Sequence, residues 1–192
     1  MSVSSEPETT ICRSVPCPTI PLLMQVPSTA VAVDWALAFL GCMRLMAPKP
    51  CVILDIDGTV LLNASGGLTK CVLHFKSLCD ACSANGIALF CVTARPEDSS
   101  NRLYTLRQLE KCGIKPIRKV YMRPSKAEYA RYKYNARKEI ATSGHAVLLT
   151  IGDQFADISL EEPPREIDDT KIYIGQMADG KGFGIKLSSE FA

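Results

Sequence analysis

Two aspartates at alternate positions, Asp55 and Asp57, follow the apolar run Cys51-Val52-Ile53-Leu54, and Gly58-Thr59 come directly after them. Thr93 closes a second apolar run, Ile87 to Val92, and Asp153 closes a third, Ala146 to Gly152. Gathering carboxylates and a hydroxyl around one point suits chemistry on an anionic group held by a hard cation, which takes oxygen ligands. Burying one carboxylate beside others is costly unless a cation or a proton compensates. These residues predict a metal-assisted active site.

The runs themselves are the elements that must position those side chains. They are short, nearly continuous in apolar character and rich in β-branched residues, the pattern of strands buried on both faces of a parallel sheet. Ligands of open parallel sheets bind outside the carboxyl ends of the strands. Three such strands deliver Asp55, Asp57, Thr93 and Asp153 to a single edge. Helical patterns alternate with them. One begins after Ser28-Thr29, which can cap it, and ends near Gly41 or Met46. Val72, Phe75, Leu78, Cys79 and Cys82 form a second helical face, ended by Asn85-Gly86. A third helix starts at Pro96-Glu97-Asp98, buries Leu103, Leu106 and Leu109, and stops at Gly113. Ser125 to Ile140 reads as a charged helix ended around Gly144, and Phe155 to Leu160 as a short one. Weaker strands are expected over residues 118–122 and Lys171 to Ile174. The segments Val60 to Gly67 and Gly180 to Gly184 read as a flexible loop and a flexible turn. The alternation predicts a three-layer α/β/α fold with a mostly parallel sheet and right-handed crossovers. Residues 1–27, rich in Ser, Thr and Pro, read as a loose N-terminal arm, and residues 28–192 as a single domain.

A chain of 192 residues suits one domain of about 150 residues plus an extension. Its net charge of +2 gives no electrostatic case for nucleic acid, and no stripe of basic and aromatic residues supplies one. Nine cysteines, several inside expected strands or helices (Cys51, Cys91, Cys112), predict reduced, buried thiols in a reducing compartment rather than a disulfide framework. Met1 to Ile20 lacks a basic stretch followed by an apolar core, so no secretory signal is expected. Val31 to Met46 is apolar but carries Asp34, Gly41 and Arg44 and is shorter than the roughly 20 residues a membrane span needs. A soluble cytoplasmic protein is the expectation.

The motifs together resemble a known family. Asp55-Ile56-Asp57-Gly58-Thr59, Thr93, a downstream lysine and Gly152-Asp153-Gln154-Phe155-Ala156-Asp157 are similar to the four motifs of the haloacid dehalogenase (HAD) superfamily. The subgroup most like it is the acid phosphatases whose last motif is Gly-Asp-Gln-aromatic-x-Asp. Lys126 and Lys133 lie on the same expected helix, and either suits the lysine position by location. The subgroup's Tyr-Lys-x-x-x-Arg pattern matches Tyr132-Lys133 to Arg137 and so favours Lys133. The resemblance runs from about Val31 to Leu160. It implies that Asp55 is a nucleophile forming an aspartyl-phosphate, and that Asp57 is the acid that protonates the leaving group and the base that activates water. It implies that Thr93 and Lys133 bind the phosphoryl oxygens, with Gly58 permitting the turn beside them. It further implies Mg2+ held by Asp55, the Asp57 backbone carbonyl and Asp153, with Asp157 orienting a metal-bound water or the lysine. One position departs from the subgroup: Gly58 stands where its members usually carry Glu.

Other residues read less sharply. Arg95 is either a substrate contact or a surface ion pair near a helix start. Cys79-x-x-Cys82 has no second pair at zinc-site spacing and sits on an apolar face, so core packing is expected. His74 and His145 match no metal or triad spacing and read as structural or exposed. Neither the interval from Asp57 to Thr93 nor that from Thr93 to Lys133 can hold a large cap domain. The expected site is open to a small phosphate ester, a nucleotide or a phosphate on a macromolecule. The N-terminal arm, the Asn63 to Lys70 loop or a second subunit of a homo-oligomer would cover it in part. Phosphotransfer to an acceptor alcohol and a noncatalytic binding or storage role on the same fold are the rival readings.

Overall fold

The computed structural model describes residues 23–64, 68–159, 168–177 and 182–188. In chain order its elements are β1 (Leu23–Val26), α1 (Thr29–Met43), β2 (Pro50–Leu54), β3 (Leu61–Ala64), β4 (Leu68–Cys71), α2 (His74–Ala84), β5 (Ala88–Pro96), α3 (Ser99–Lys111), β6 (Lys119–Arg123), α4 (Tyr129–Thr142), β7 (Ala146–Gly152), β8 (Ile172–Gln176) and β9 (Phe183–Lys186). A 3-10 turn, Phe155–Asp157, follows β7. Seven strands form one sheet in the order β1-β8-β9-β7-β2-β5-β6, and β3 and β4 form a separate antiparallel hairpin. Pairing is parallel from β9 through β6, while β8 runs antiparallel to both β9 and β1. This is the expected α/β architecture with a mostly parallel central sheet.

Alternation along the strands divides the core. Val52, Leu54, Leu89 and Cys91 face a large apolar cluster with Phe39 and Leu40 of α1, Phe75 and Leu78 of α2, and Leu109 of α3. Cys51, Ile53, Phe90 and Val92 face the opposite side, where Ala136 and Ile140 of α4 cover them. Ser28 caps α1 by accepting from the Val31 amide at 3.3 Å. No described helix is long and apolar enough to cross a membrane.

The structure differs from the sequence reading at several places. The last residues of the expected arm, Leu23–Val26, are an edge strand paired with β8; residues 1–22 lie outside the described residues. Part of the expected loop after Thr59 is the β3–β4 hairpin. β5 continues through Pro96, and α3 begins later with Asp98 as its cap, accepting from the Asn101 amide at 2.8 Å. Leu103 and Leu106 are exposed, leaving Thr105 and Leu109 as the buried face of α3. α4 starts at Tyr129 rather than Ser125, because the Glu128 carboxylate accepts from the Ala130 and Arg131 amides and so sets the first turn. Phe183–Lys186, read as part of a flexible turn and its tail, is an internal strand of the sheet.

The cysteine reading needs correction too. Cys71, the last residue of β4, and Cys112, which ends α3, form a disulfide. Cys51, Cys79, Cys82 and Cys91 are reduced and buried, as expected. Cys79 and Cys82 pack in the apolar cluster, and burial pushes both thiols up to about 12, which disfavours thiolate ligation of zinc. His145 stacks edge-on to Phe90 with Nδ1 3.0 Å from the Ser143 hydroxyl, and His74 is exposed.

Candidate active site

Register brings the chemistry-bearing residues together. Leu54 lies opposite Cys91 on one side and Ile151 on the other, so Asp55, Thr93 and Asp153 emerge side by side at the carboxyl edge. All three are buried. The Asp55 amide donates to the Ile151 carbonyl at 2.8 Å, extending the sheet to the first aspartate. Beyond Asp57 the chain reverses at Gly58, whose φ of 77° is costly for any residue with a Cβ. The Gly58 amide donates to the Leu61 carbonyl at 2.8 Å and starts the β3–β4 hairpin.

α4 crosses this edge and supplies the cation. Lys133 is 1% exposed; its Nζ lies 2.6 Å from Asp55 Oδ1 and also pairs with Asp157 Oδ1. Tyr129, one turn earlier, has its ring centroid 4.8 Å from that ammonium. Arg137, one turn later, donates from Nη1 to the Ala156 carbonyl at 2.7 Å and so holds the turn that carries Asp157. The i, i+4 spacing puts all three on one face. Lys126, the other lysine considered, is exposed and precedes α4. Gly152 lets the 3-10 turn fold back on the strand, since a Cβ there would lie 2.2 Å from the Asp157 side chain. Asp157 Oδ2 accepts from the Gln154 amide at 3.0 Å, and Asp153 Oδ2 from Gln154 Nε2 at 2.8 Å.

Asp55, Asp57, Gly58, Thr93, Lys133 and Asp153 line one cleft of about 320 Å³. Ala94, Tyr129 and Gln154 also line it, and the sequence reading had assigned none of these to the site. Two of them carried a signal: Tyr129 precedes Lys133 by one helical turn, and Gln154 sits inside the Gly-Asp-Gln motif. Thr93 Oγ1 accepts from the Arg95 amide at 3.2 Å. The Asp57 carboxylate lies outside the group formed by the other acids and receives the Arg95 guanidinium through both oxygens, Nη2 to Oδ1 at 2.6 Å and Nε to Oδ2 at 2.8 Å.

One oxygen from each of Asp55, Asp153 and Asp157 falls within a 4.8 Å group. Lys133 pairs with two members of this group, Asp55 and Asp157, while Asp153 accepts from the neutral Gln154 amide. Burial, followed by the charge of Asp157, raises the Asp55 pKa well above the ordinary carboxylate value, although Lys133 opposes the shift. Burial raises the Asp157 carboxyl likewise against the pull of Lys133. Burial also works against the charge of Lys133, but Asp55 and Asp157 outweigh it and raise its pKa. The cluster is short of positive charge, and its hard oxygen donors are those a divalent cation such as Mg2+ takes. The residues present therefore fit a cation. The side chains that converge are Asp55, Asp153 and Asp157, and that of Asp57 is not among them.

A family model described as "HAD superfamily, subfamily IIIB (Acid phosphatase)" matches residues 64–172, more than half of the chain. The chain belongs to the HAD superfamily, subfamily IIIB. The matched range begins after Asp55 and Asp57 and contains Thr93, Lys133, Asp153 and Asp157. Among solved structures, this subfamily IIIB chain is similar to one in the Pnkp1/Rnl/Hen1 RNA repair complex, at 17% identity and a TM-score of 0.47, over 58% of this chain and 39% of that one. It is also similar to the cobalt-bound deoxy-D-mannose-octulosonate 8-phosphate phosphatase (YrbI) from Haemophilus influenzae, at 18% identity and a TM-score of 0.38, over 60% and 64% of the two chains. It thus spans less than two thirds of the length of either. None of the curated proteins compared matches it.

Proposed function

We propose that this chain is a Mg2+-dependent phosphomonoester hydrolase that works through an aspartyl-phosphate on Asp55. The observation that carries the reading is the environment of Asp55, buried at the sheet edge against Lys133 and grouped with Asp153 and Asp157. Lys133 and the cation that this group fits would offset the burial of Asp55 and keep it ionised, and an ionised carboxylate is a nucleophile that needs no separate base. Asp55 forms a bond to phosphorus as the ester P–O bond breaks, and Asp57 gives its proton to the departing oxygen. Asp57 then takes a proton from the water that attacks phosphorus, which releases Asp55 and inorganic phosphate. Thr93 and Lys133 hold the phosphoryl oxygens and offset their growing charge. Asp55, Asp153 and the Asp57 carbonyl would hold Mg2+, which supplies Lewis-acid stabilisation of the phosphoryl oxygens. Asp157 keeps Lys133 aimed at the site. Among the described residues, the interval between Asp57 and α2 holds the small β3–β4 hairpin, which favours a small phosphate ester or nucleotide as substrate.

The test is phosphate release from p-nitrophenyl phosphate and a nucleotide panel, with Mg2+ or with EDTA, by wild type and Asp55→Asn. Magnesium-dependent release that the substitution abolishes is expected, with a loss of several orders of magnitude. Release that persists in Asp55→Asn rejects the nucleophile. Silence of the wild type on every ester favours a noncatalytic binding role.

A further inference from the structure

Arg95 reaches the cleft through Asp57 and takes no part in the steps proposed for the reaction. From its position near a helix start it reads as either a substrate contact or a surface ion pair. Its side chain is 17% exposed, and all three guanidinium nitrogens are engaged. Nε and Nη2 grip the two oxygens of Asp57. Nη1 donates to Thr105 Oγ1 at 2.9 Å and to Gln108 Oε1 at 2.6 Å, both on α3. Thr105 is fully buried, so the far end of the fork rests on the helix's packed face.

Gln108 in turn donates from Nε2 to Thr69 Oγ1 on β4 at 3.0 Å and to the Tyr104 hydroxyl at 3.0 Å. One turn further on, the Cys71–Cys112 disulfide joins the same helix to the same hairpin. Asp57 lies at the start of that hairpin, with a bridge to Leu61. Arg95 therefore connects Asp57 to a helix that is fastened independently to the loop beyond it. A surface ion pair between long side chains is loosely held and contributes little. A planar fork on a carboxylate, braced at its third nitrogen, fixes both the plane and the direction of that carboxylate.

We propose that Arg95 is a positioning residue for Asp57, holding its carboxyl group at the angle from which it exchanges protons with the leaving oxygen and the attacking water. Each Asp57 oxygen keeps lone-pair directions outside the fork, so the pairing orients the group without occupying the sites that exchange a proton. The inference rests on the assignment of Asp57 as acid and base. It predicts a signature that a merely structural arginine lacks. Proton donation matters most when the leaving oxygen is a poor leaving group, as in an alkyl phosphate, and little for the stable p-nitrophenolate.

The experiment compares kcat/KM for glycerol 2-phosphate and p-nitrophenyl phosphate, with Mg2+, in wild type, Arg95→Gln, Asp57→Asn and the double variant. Arg95→Gln is expected to lower the alkyl-to-aryl ratio roughly tenfold or more, and to lower it no further once Asp57 is Asn. An equal loss on both substrates, or a fall in the ratio that persists in the Asp57→Asn background, overturns the proposal. If Arg95→Gln does not fold, Gln108→Leu decides: it removes one brace from Arg95, and the same ratio must fall. An unchanged ratio in a folded Gln108→Leu then overturns the proposal. A wild type that releases phosphate upholds the phosphatase reading whatever Arg95 does. A wild type inactive on both substrates rejects that reading and this one with it.

Discussion

Lys133 carries an unusual electrostatic burden for one side chain. It is buried between Asp55 and Asp157, and removing one partner from such a group leaves uncompensated charge in a low-dielectric site. Lys133→Met is expected to abolish phosphate release and to cost about 3–5 kcal/mol of stability, read by chemical denaturation with Mg2+ absent. Gly152 makes a different demand, since any side chain there collides with Asp157. Gly152→Ala should displace Asp157, loosen Lys133 and reduce phosphate release at least tenfold, with a lowered Tm in the same preparation. Both residues were legible in the sequence, but for unequal reasons. Gly152 belongs to a motif whose spacing survives inspection. Lys133 and Lys126 share an expected helix, where the Tyr-Lys-x-x-x-Arg pattern rather than location favours Lys133, and the start of α4 at Tyr129 puts Lys133 inside the helix and Lys126 outside it.

Among the elements, the strands whose runs are apolar from end to end were the readable ones. β2, β5 and β7 declare themselves because both of their faces are buried, and the residues they end on come with them. α3 was misread for the converse reason. Leu103 and Leu106 have helical spacing with Leu109, yet the face that packs is the one through Thr105 and Leu109, set by the Asp98 cap and the Arg95 contacts. The hairpin was misread because its glycines signal a break without saying what flanks it. The Cys71–Cys112 link was hidden for a related reason: the two cysteines are 41 residues apart, and only the folded hairpin brings them together. Closing a loop of that length contributes at most about 4 kcal/mol by restricting the unfolded chain. Paired Cys71→Ser and Cys112→Ser substitutions should therefore lower the Tm while leaving Mg2+-dependent release measurable. A Tm equal to that of the wild type would show that the link carries no part of the stability.

At the scale of the whole molecule, β9 sits inside the main sheet between β8 and β7, so the last described strand joins two that precede it. Its sequence, Phe183-Gly-Ile-Lys, gives little local reason for a strand, and the glycines nearby read as flexibility. The structure assigns them another purpose, because a Cβ on Gly182 would lie 2.4 Å from the Val147 carbonyl oxygen and one on Gly184 2.9 Å from Ile158. They are small so that β9 can fit. Tertiary pairing with β7 and β8 makes this strand, and no window of sequence could have announced it. A chain shortened to end at residue 181 is expected to lose cooperative unfolding, measured by calorimetry, because β8 and β1 then have no partner joining them to β7. During translation β7 and β8 leave the ribosome before the strand that belongs between them. Until residues 183–186 emerge, the growing polypeptide offers the cell a bare β7 edge directly beside Asp153. A chaperone that holds exposed strand edges would therefore meet this protein at its nascent active site.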